Sequence, residues 1–362
     1  MTTSRKFRLM ILSVGSLVGT GVLESIDLIG RDRFEIIGLN SDPSAVNNFR
    51  CDVCYVSSPT AERAALIAQL DALAAQHPPD LVIPGRDDDV VVLAHWRAQR
   101  PELAIMVGSV AMAEIIRDKW ASYEWARAND LPFARSAIDA PALAALHSDV
   151  GLPLVAKPRL GFGSNGVRIL MTPAHVSVAL NRPDTIVQEA IDPSPTLAPD
   201  ALAEGVPLWF APVQPGSPLG ISLLDDAGCR FISTTCSRHV RGSAIDTMLL
   251  DDAALKDVLM RYSEVAWRDG WRGLFSIQAR RNAAGEHIVI ELAGRFMGAT
   301  SALAVLGVPV FERVLETYIP DYRATLPQRP NFHLRVVKQI ASRALDTRDE
   351  ATLRSTGQWR AP

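Results

Sequence analysis

An excess of charge of one sign is missing from this sequence. Its 37 lysines and arginines are matched by 40 aspartates and glutamates, for a net charge of −3 over 362 residues. Interspersed as they are, these charges leave no electrostatic footprint for nucleic acid or for an anionic membrane surface. Cysteine is equally scarce. Four cysteines suit a reducing cytoplasm better than a disulfide scaffold. The Cys51-Asp52-Val53-Cys54 pair has no second pair with which to close a zinc site, and it falls where a strand should begin, so packing is its expected role. A long apolar segment is also lacking. The run over residues 9–23 follows Arg5-Lys6-Phe7-Arg8 like a secretion signal, but Gly15, Gly19 and Gly21 interrupt it, Glu24 ends it, and no small-residue cleavage pattern is clear. With 48% hydrophobic and 21% charged residues, the chain is an ordinary globular protein able to bury a sizeable core in roughly two to three domains.

The N-terminal third alternates regularly. Residues 7–14 form an apolar strand, 15–21 a glycine turn, and 22–29 the start of a crossover helix. Strands follow at 34–39, 54–56 and 80–85, with a helical pattern over 61–76 in which Leu66, Leu70, Leu73 and Ala74 recur at helical spacing. This rhythm implies a parallel sheet covered on both faces, so that about the first 110 residues form a Rossmann-like domain. The turn Gly15-Ser16-Leu17-Val18-Gly19-Thr20-Gly21 lacks the GxGxxG spacing of a dinucleotide site, although Asn40 and Asp42 stand near where a ribose-binding acid would fall. Tight strand-to-helix packing is the preferred reading of its glycines. Asp87-Asp88-Asp89 lies at the C-terminal end of a strand, where sites in open α/β sheets gather; helix capping explains the acids equally well.

Two later stretches carry chemistry. Leu154-Val155-Ala156-Lys157 is a short strand ending on a lysine, followed by a turn containing Gly161, Gly163, Ser164 and Gly166 and a second strand over 167–171. Glycines let backbone amides approach a phosphate, Ser164 adds a hydroxyl, and Lys157 supplies charge, so the expected target is a polyphosphate; a solvated turn with a chance lysine is the alternative. The second stretch is a hairpin in which residues 273–281 pair with 287–295 around Asn282-Ala283-Ala284-Gly285-Glu286. Alternation puts Ile288 and Ile290 on one face and Val289 and Glu291 on the other, with Gln278 on the partner strand. A lone glutamate in an apolar strand is costly to bury without a cation beside it, and magnesium, held through oxygen and phosphate ligands, suits such a site.

Other segments are less marked on their own. The helix around Arg117-Asp118-Lys119 has an aspartate near its start, and Lys119 is either solvated or within reach of a phosphate. Residues 185–191 form an apolar strand that turns polar, and 192–216 read as a long proline-rich loop. Another hairpin spans residues 219–236. It is followed by Arg238, His239 and Arg241, which mark either a solvated strand end or an anionic pocket. Residues 332–345 have a helical outline, and the tail that contains Trp359 could be frayed.

Taken in order, these pieces resemble the ATP-grasp superfamily, in its carbamoyl-phosphate-synthetase-like and carboxylate–amine ligase branch, over roughly residues 7–320. The resemblance implies α/β and α+β architecture. A Rossmann-like pre-ATP-grasp domain (1–114) precedes an ATP-grasp fold whose two subdomains, a lid (115–186) and a larger one with the metal site (187–330), clamp ATP, while 331–362 has no assigned structure. It implies that Lys119 and Lys157 contact the nucleotide's phosphates and that residues 161–166 form a mobile flap. Gln188, Glu189, Ala190 and Ile191 would be the adenine hinge, Gln278 and Glu291 the Mg2+ ligands, and Arg295 the arginine that meets developing charge. Arg238 and Arg241 are candidates for the carboxylate or acyl-phosphate pocket. The chain departs from the family pattern at Ala293, where an asparagine usually completes the second ion's shell, and at the ribose-binding carboxylate, for which Asp192 is a candidate. The implied activity is an ATP-dependent cytoplasmic ligase joining a small-molecule carboxylate and an amine, with a homodimer left open. The alternatives are a non-catalytic nucleotide-binding protein and a dehydrogenase using the first domain.

Overall fold

The computed structural model describes residues 5–161, 165–182, 184–191, 206–207, 216–240, 244–338 and 342–361, with the side chains at 180, 206–207, 238–240 and 244–245 left aside. The first unit is built from β1 (Phe7–Leu12), α1 (Leu17–Ile29), β2 (Phe34–Asn40), β3 (Val53–Val56), α2 (Arg63–Gln76), β4 (Leu81–Ile83) and α3 (Asp87–Gln99). Strands β1 to β4 are parallel, in the order β3-β2-β1-β4. Their side chains are apolar without alternation because helices cover both faces; Leu9 to Leu12 are all buried. The start of α1 is the boundary in this unit that differs most from the sequence reading. Helix α1 begins at Leu17, not after the glycines, because Ser16 caps it by accepting from the Gly19 amide. Gly19 is needed at that place, since a Cβ there would sit 2.1 Å from the Val14 carbonyl oxygen. The sequence's preference for packing over dinucleotide binding at this turn matches that contact. Cys51 and Cys54 are free and buried.

Helices α4 (Val110–Arg117) and α5 (Lys119–Ala128) lead into an antiparallel sheet made of β5 (Ser136–Ala137), β6 (Leu154–Pro158), β7 (Arg168–Leu170), β8 (Thr185–Glu189) and β9 (Val206–Pro207), with α6 (Ala140–Val150) and α7 (Pro173–Leu180) between its strands. A second antiparallel sheet contains β10 (Ser217–Asp225), β11 (Gly228–Val240), β12 (Ala244–Leu249), β13 (Gly273–Arg281) and β14 (His287–Ala293), backed by α8 (Ala253–Arg268). After α9 (Thr300–Val305) and α10 (Val310–Tyr318), β15 (Arg335–Lys338) adds to the far edge beside β12. Residues 335–338 are thus strand, where the sequence had suggested helix.

The tail then returns to the first unit. Helix α11 (Thr347–Thr356) ends at Gly357, whose φ of +74° is left-handed, and β16 (Gln358–Arg360) pairs antiparallel with β3. Trp359 is buried edge-on against Phe49, with ring centroids 5.2 Å apart. Among the described residues no helix is long and apolar enough to cross a membrane.

Candidate active site

The two antiparallel sheets meet because one segment of chain serves both. Before β5 begins, Ala134 donates its amide to the Val289 carbonyl at 2.8 Å, and the Val289 amide donates to the Pro132 carbonyl at 3.0 Å. The strand that enters the smaller sheet is therefore first laid against β14, on the edge of the larger one. At that place β14 carries a bulge: Gln278 faces Glu291 and Ala279 faces Val289, leaving Ile290 without a partner in the register. The bulge changes the alternation expected from sequence. Val289 and Leu292 both turn into the core, while Ile290 and Glu291 are both half-buried, so Glu291 no longer shares a face with Val289.

Lys157 crosses from the smaller sheet and donates to the Ile290 carbonyl at 2.9 Å. Burial pushes its ammonium down to about 7, against the pull of Glu291, and Lys119 adds to the lowering. Lys119 is also buried. It stands at the first position of α5, which Asp118 caps by accepting from the Trp120 amide, and its Nζ lies 3.5 Å from Glu291 and 2.8 Å from the Gly161 carbonyl. Two lysines from different elements thus reach one stretch of β14, Lys119 at the Glu291 carboxylate and Lys157 at the adjacent Ile290 carbonyl. Asp118 is further held by Arg159 just after β6. Burial favours its protonated form, but the Arg159 guanidinium and the Trp120 amide outweigh this and lower its pKa.

Arg295 follows the hairpin. Its Nη2 lies 2.6 Å from an Asp87 oxygen and its Nη1 donates to the Phe296 carbonyl at 3.0 Å, while its buried Nε has no partner among the described residues. Desolvation works against the guanidinium, and Asp87, then Glu291 and Asp89, more than offset it, so its pKa is raised. Gly294 permits this placement, since a Cβ there would lie 2.4 Å from the Trp271 ring.

The aspartate run at the start of α3 is split among three tasks. Asp87 holds Arg295, Asp88 pairs with Arg117 at 2.6 Å, and buried Asp89 accepts from the Gly85 and Arg86 amides and from Ser13. Of the sequence's two readings of these acids, helix capping is met by Asp89, whose carboxylate accepts from the Arg86 amide. Desolvation raises the Asp89 pKa to about 6 despite those hydrogen bonds.

The residues assigned to an adenine hinge stand at the end of β8. Gln188 is buried and donates to Ser136, and Glu189 accepts from the Arg135 amide at 2.8 Å and its Nε at 3.0 Å, so both side chains brace β5. Ala190 and Ile191 follow as non-strand backbone, the kind of edge that reads a base through main-chain groups. Of the flap, Gly161 and Gly166 are described and Gly166 has φ +75°. Gly163, Ser164, Asp192, Arg241 and the side chain of Arg238 lie outside the described residues. Glu291 and Gln278 offer one carboxylate and one carboxamide, and no group of three His, Cys, Asp or Glu able to hold a metal occurs among the described residues. Such a pair fits magnesium when phosphate oxygens and water supply the rest of its shell.

No protein-family model matches this chain, and no curated protein matches it by sequence. Solved structures do match. The N5-carboxyaminoimidazole synthetase from Staphylococcus aureus complexed with ADP superposes with a TM-score of 0.66 at 10% identity, over 92% of this chain and 83% of that one. The chain has the ATP-grasp fold. An L-amino acid ligase from Bacillus licheniformis gives 0.63 at 14% identity, over 88% and 75%. The biotin carboxylase domain dimer of the Hydrogenobacter thermophilus 2-oxoglutarate carboxylase, in complex with MgADP and bicarbonate, gives 0.64 at 13%, over 92% and 74%. Within this ATP-grasp fold, Lys119, Lys157, Glu291, Gln278 and Arg295 lie around the junction of the two antiparallel sheets. Sequence missed Asp87 as the partner of Arg295, Arg117 as that of Asp88, Arg135 as that of Glu189 and Arg159 as that of Asp118. Asp87 and Arg295 are 208 positions apart, and no local pattern announces a pair so distant.

Proposed function

We propose that this chain is an ATP-dependent ligase that activates a carboxylate as an acyl phosphate and passes it to an amine. The observation that carries the reading is the placement of two buried lysines at one stretch of β14, with Lys119 Nζ 3.5 Å from Glu291 and Lys157 Nζ on the neighbouring Ile290 carbonyl, at the junction of the two sheets. Burying two cations together is unfavourable unless an anion compensates them, and one glutamate is a partial match; a polyphosphate supplies the rest. The fold adds support, since its solved likenesses include one structure holding ADP and another holding MgADP with bicarbonate.

In this reading Lys157, Lys119 and the backbone around Gly161, Gly163, Ser164 and Gly166 hold the phosphates, and residues 188–191 lie along the adenine. Glu291 and Gln278 would hold magnesium, which when bound neutralises phosphate charge. Arg295 faces the phosphoryl group in transit, and Arg238 and Arg241 are assigned to the carboxylate pocket. A substrate carboxylate oxygen attacks the γ-phosphorus, the bond to the bridging oxygen breaks, and ADP leaves with that electron pair. The amine nitrogen then attacks the acyl carbon, phosphate departs, and the amine gives up a proton. Positioning and charge neutralisation supply most of the rate.

The test is ADP release from MgATP with a mixture of amino acids and other small carboxylates. Release that depends on the mixture and disappears in Glu291→Ala is the expected result. MgATP binding with no substrate-dependent release would favour a non-catalytic nucleotide-binding protein. A thermal shift with a nicotinamide dinucleotide and none with MgATP would favour a dehydrogenase.

A further inference from the structure

The arginine that faces the reacting groups in the proposed ligase is held partly from outside its own unit. Arg295 follows β14, in the larger antiparallel sheet, but its Nη2 is fixed at 2.6 Å by Asp87, the first residue of α3 in the N-terminal parallel unit. Both side chains are largely shielded, with 16% and 15% of their surface exposed. Nη1 is taken by the Phe296 carbonyl at 3.0 Å, which leaves the buried Nε without a partner among the described residues. A guanidinium gripped at two of its nitrogens has its plane set, so the direction of the third donor is set as well. The neighbouring acid repeats the arrangement. Asp88 holds Arg117 at 2.6 Å, and Arg117, the last residue of α4, reaches the Leu160 carbonyl at 3.4 Å, where the glycine loop begins. Asp89 anchors the run itself by gripping the Gly85 and Arg86 amides at the end of β4.

We infer that Asp87 is a positioning residue for Arg295: a carboxylate of the N-terminal unit holds the guanidinium in the one orientation that serves the transferring group. This inference rests on the ligase reading. It adds that turnover depends on a contact made across units, away from the nucleotide's own ligands. Loss of Asp87 therefore lowers turnover without weakening nucleotide binding, and it does so only while Arg295 is present.

The experiment is a double-mutant cycle on the full chain with Asp87→Asn, Arg295→Ala and both together. MgATP affinity is read by calorimetry, and kcat and KM by ADP release with an accepted substrate mixture. Expected are a fall in kcat of about 100-fold for Arg295→Ala and about tenfold for Asp87→Asn. The double variant should be no slower than Arg295→Ala alone, and MgATP affinity should change less than about twofold in Asp87→Asn. Asp87→Glu, which keeps the charge, should recover part of the loss. Losses that multiply, or a kcat untouched in Asp87→Asn, would overturn the inference while leaving the ligase reading in place. A parent protein that binds no MgATP would overturn both. A drop in MgATP affinity that parallels the drop in turnover would show that Asp87 merely supports the fold of the nucleotide site.

Discussion

Lys157 and Glu291 were legible in the sequence for the same physical reason. Each is a charged residue placed in an otherwise apolar strand, and a chain tolerates the cost of burying such a group where a counter-charge or hydrogen bonds compensate it. Asp89 obeys the same rule but could not be read in advance, because its three hydrogen-bond donors become apparent only once β1 and β4 lie side by side. Its behaviour with pH is a direct check. Desolvation raises its folded-state pKa to about 6 from an ordinary 3.8. Between those values the folded chain holds a proton that the unfolded chain has released, so stability falls as pH rises through this window and levels off above it. Most other acids contribute alike in parent and Asp89→Asn. Urea unfolding should therefore show the parent gaining on the variant by about 2–3 kcal/mol between pH 7.5 and pH 4. A stability difference that stays constant with pH would mean that Asp89 is ionised throughout.

At the scale of elements, strands and helices were legible where period and punctuation agreed. The hairpin of β13 and β14 has alternating apolar positions and an Asn-Ala-Ala-Gly-Glu turn, and its extent matches. The bulge at Ile290 carries no residue signature, and it reversed the face expected for Glu291. Helix α1 was shortened in the reading because Gly19 and Gly21 look like turn residues. The structure uses Gly19 inside a helix to let it close on β1. Strand β14 also frames a test of metal binding. Ala293 stands opposite Ser276, where the resemblance places an asparagine, so any second magnesium would lack one protein oxygen and bind weakly. Turnover should need magnesium well above the nucleotide concentration. Ala293→Asn should lower that requirement, and Glu291→Ala should abolish turnover. Magnesium titrations of ADP release at fixed ATP check this, and an Ala293→Asn curve that overlays the parent's would rule out the metal assignment.

Over the whole molecule, the sequence conveyed a parallel unit followed by hairpins, because alternation and turn residues mark each, while their grouping into two subdomains came only from the resemblance. It was silent on how the ends close. The tail that contains Trp359 completes the edge of the first sheet through three residues paired with β3, too short a strand to announce itself. It also could not show that the segment over residues 132–134 is laid against β14 before it enters the smaller sheet, or that Lys157 crosses to β14 at Ile290, beside the glutamate that Lys119 meets. That convergence is the core of the functional reading, and Lys157 is the residue on which it turns. Calorimetric titration of the full chain with MgATP, beside the same titration of Lys157→Ala, measures it. The lysine's charge-assisted phosphate contact is worth about 1.5–3 kcal/mol, so the parent should bind and the variant should bind roughly 10- to 150-fold more weakly. Equal affinities in the two proteins would place the nucleotide elsewhere and contradict the assignment of this site.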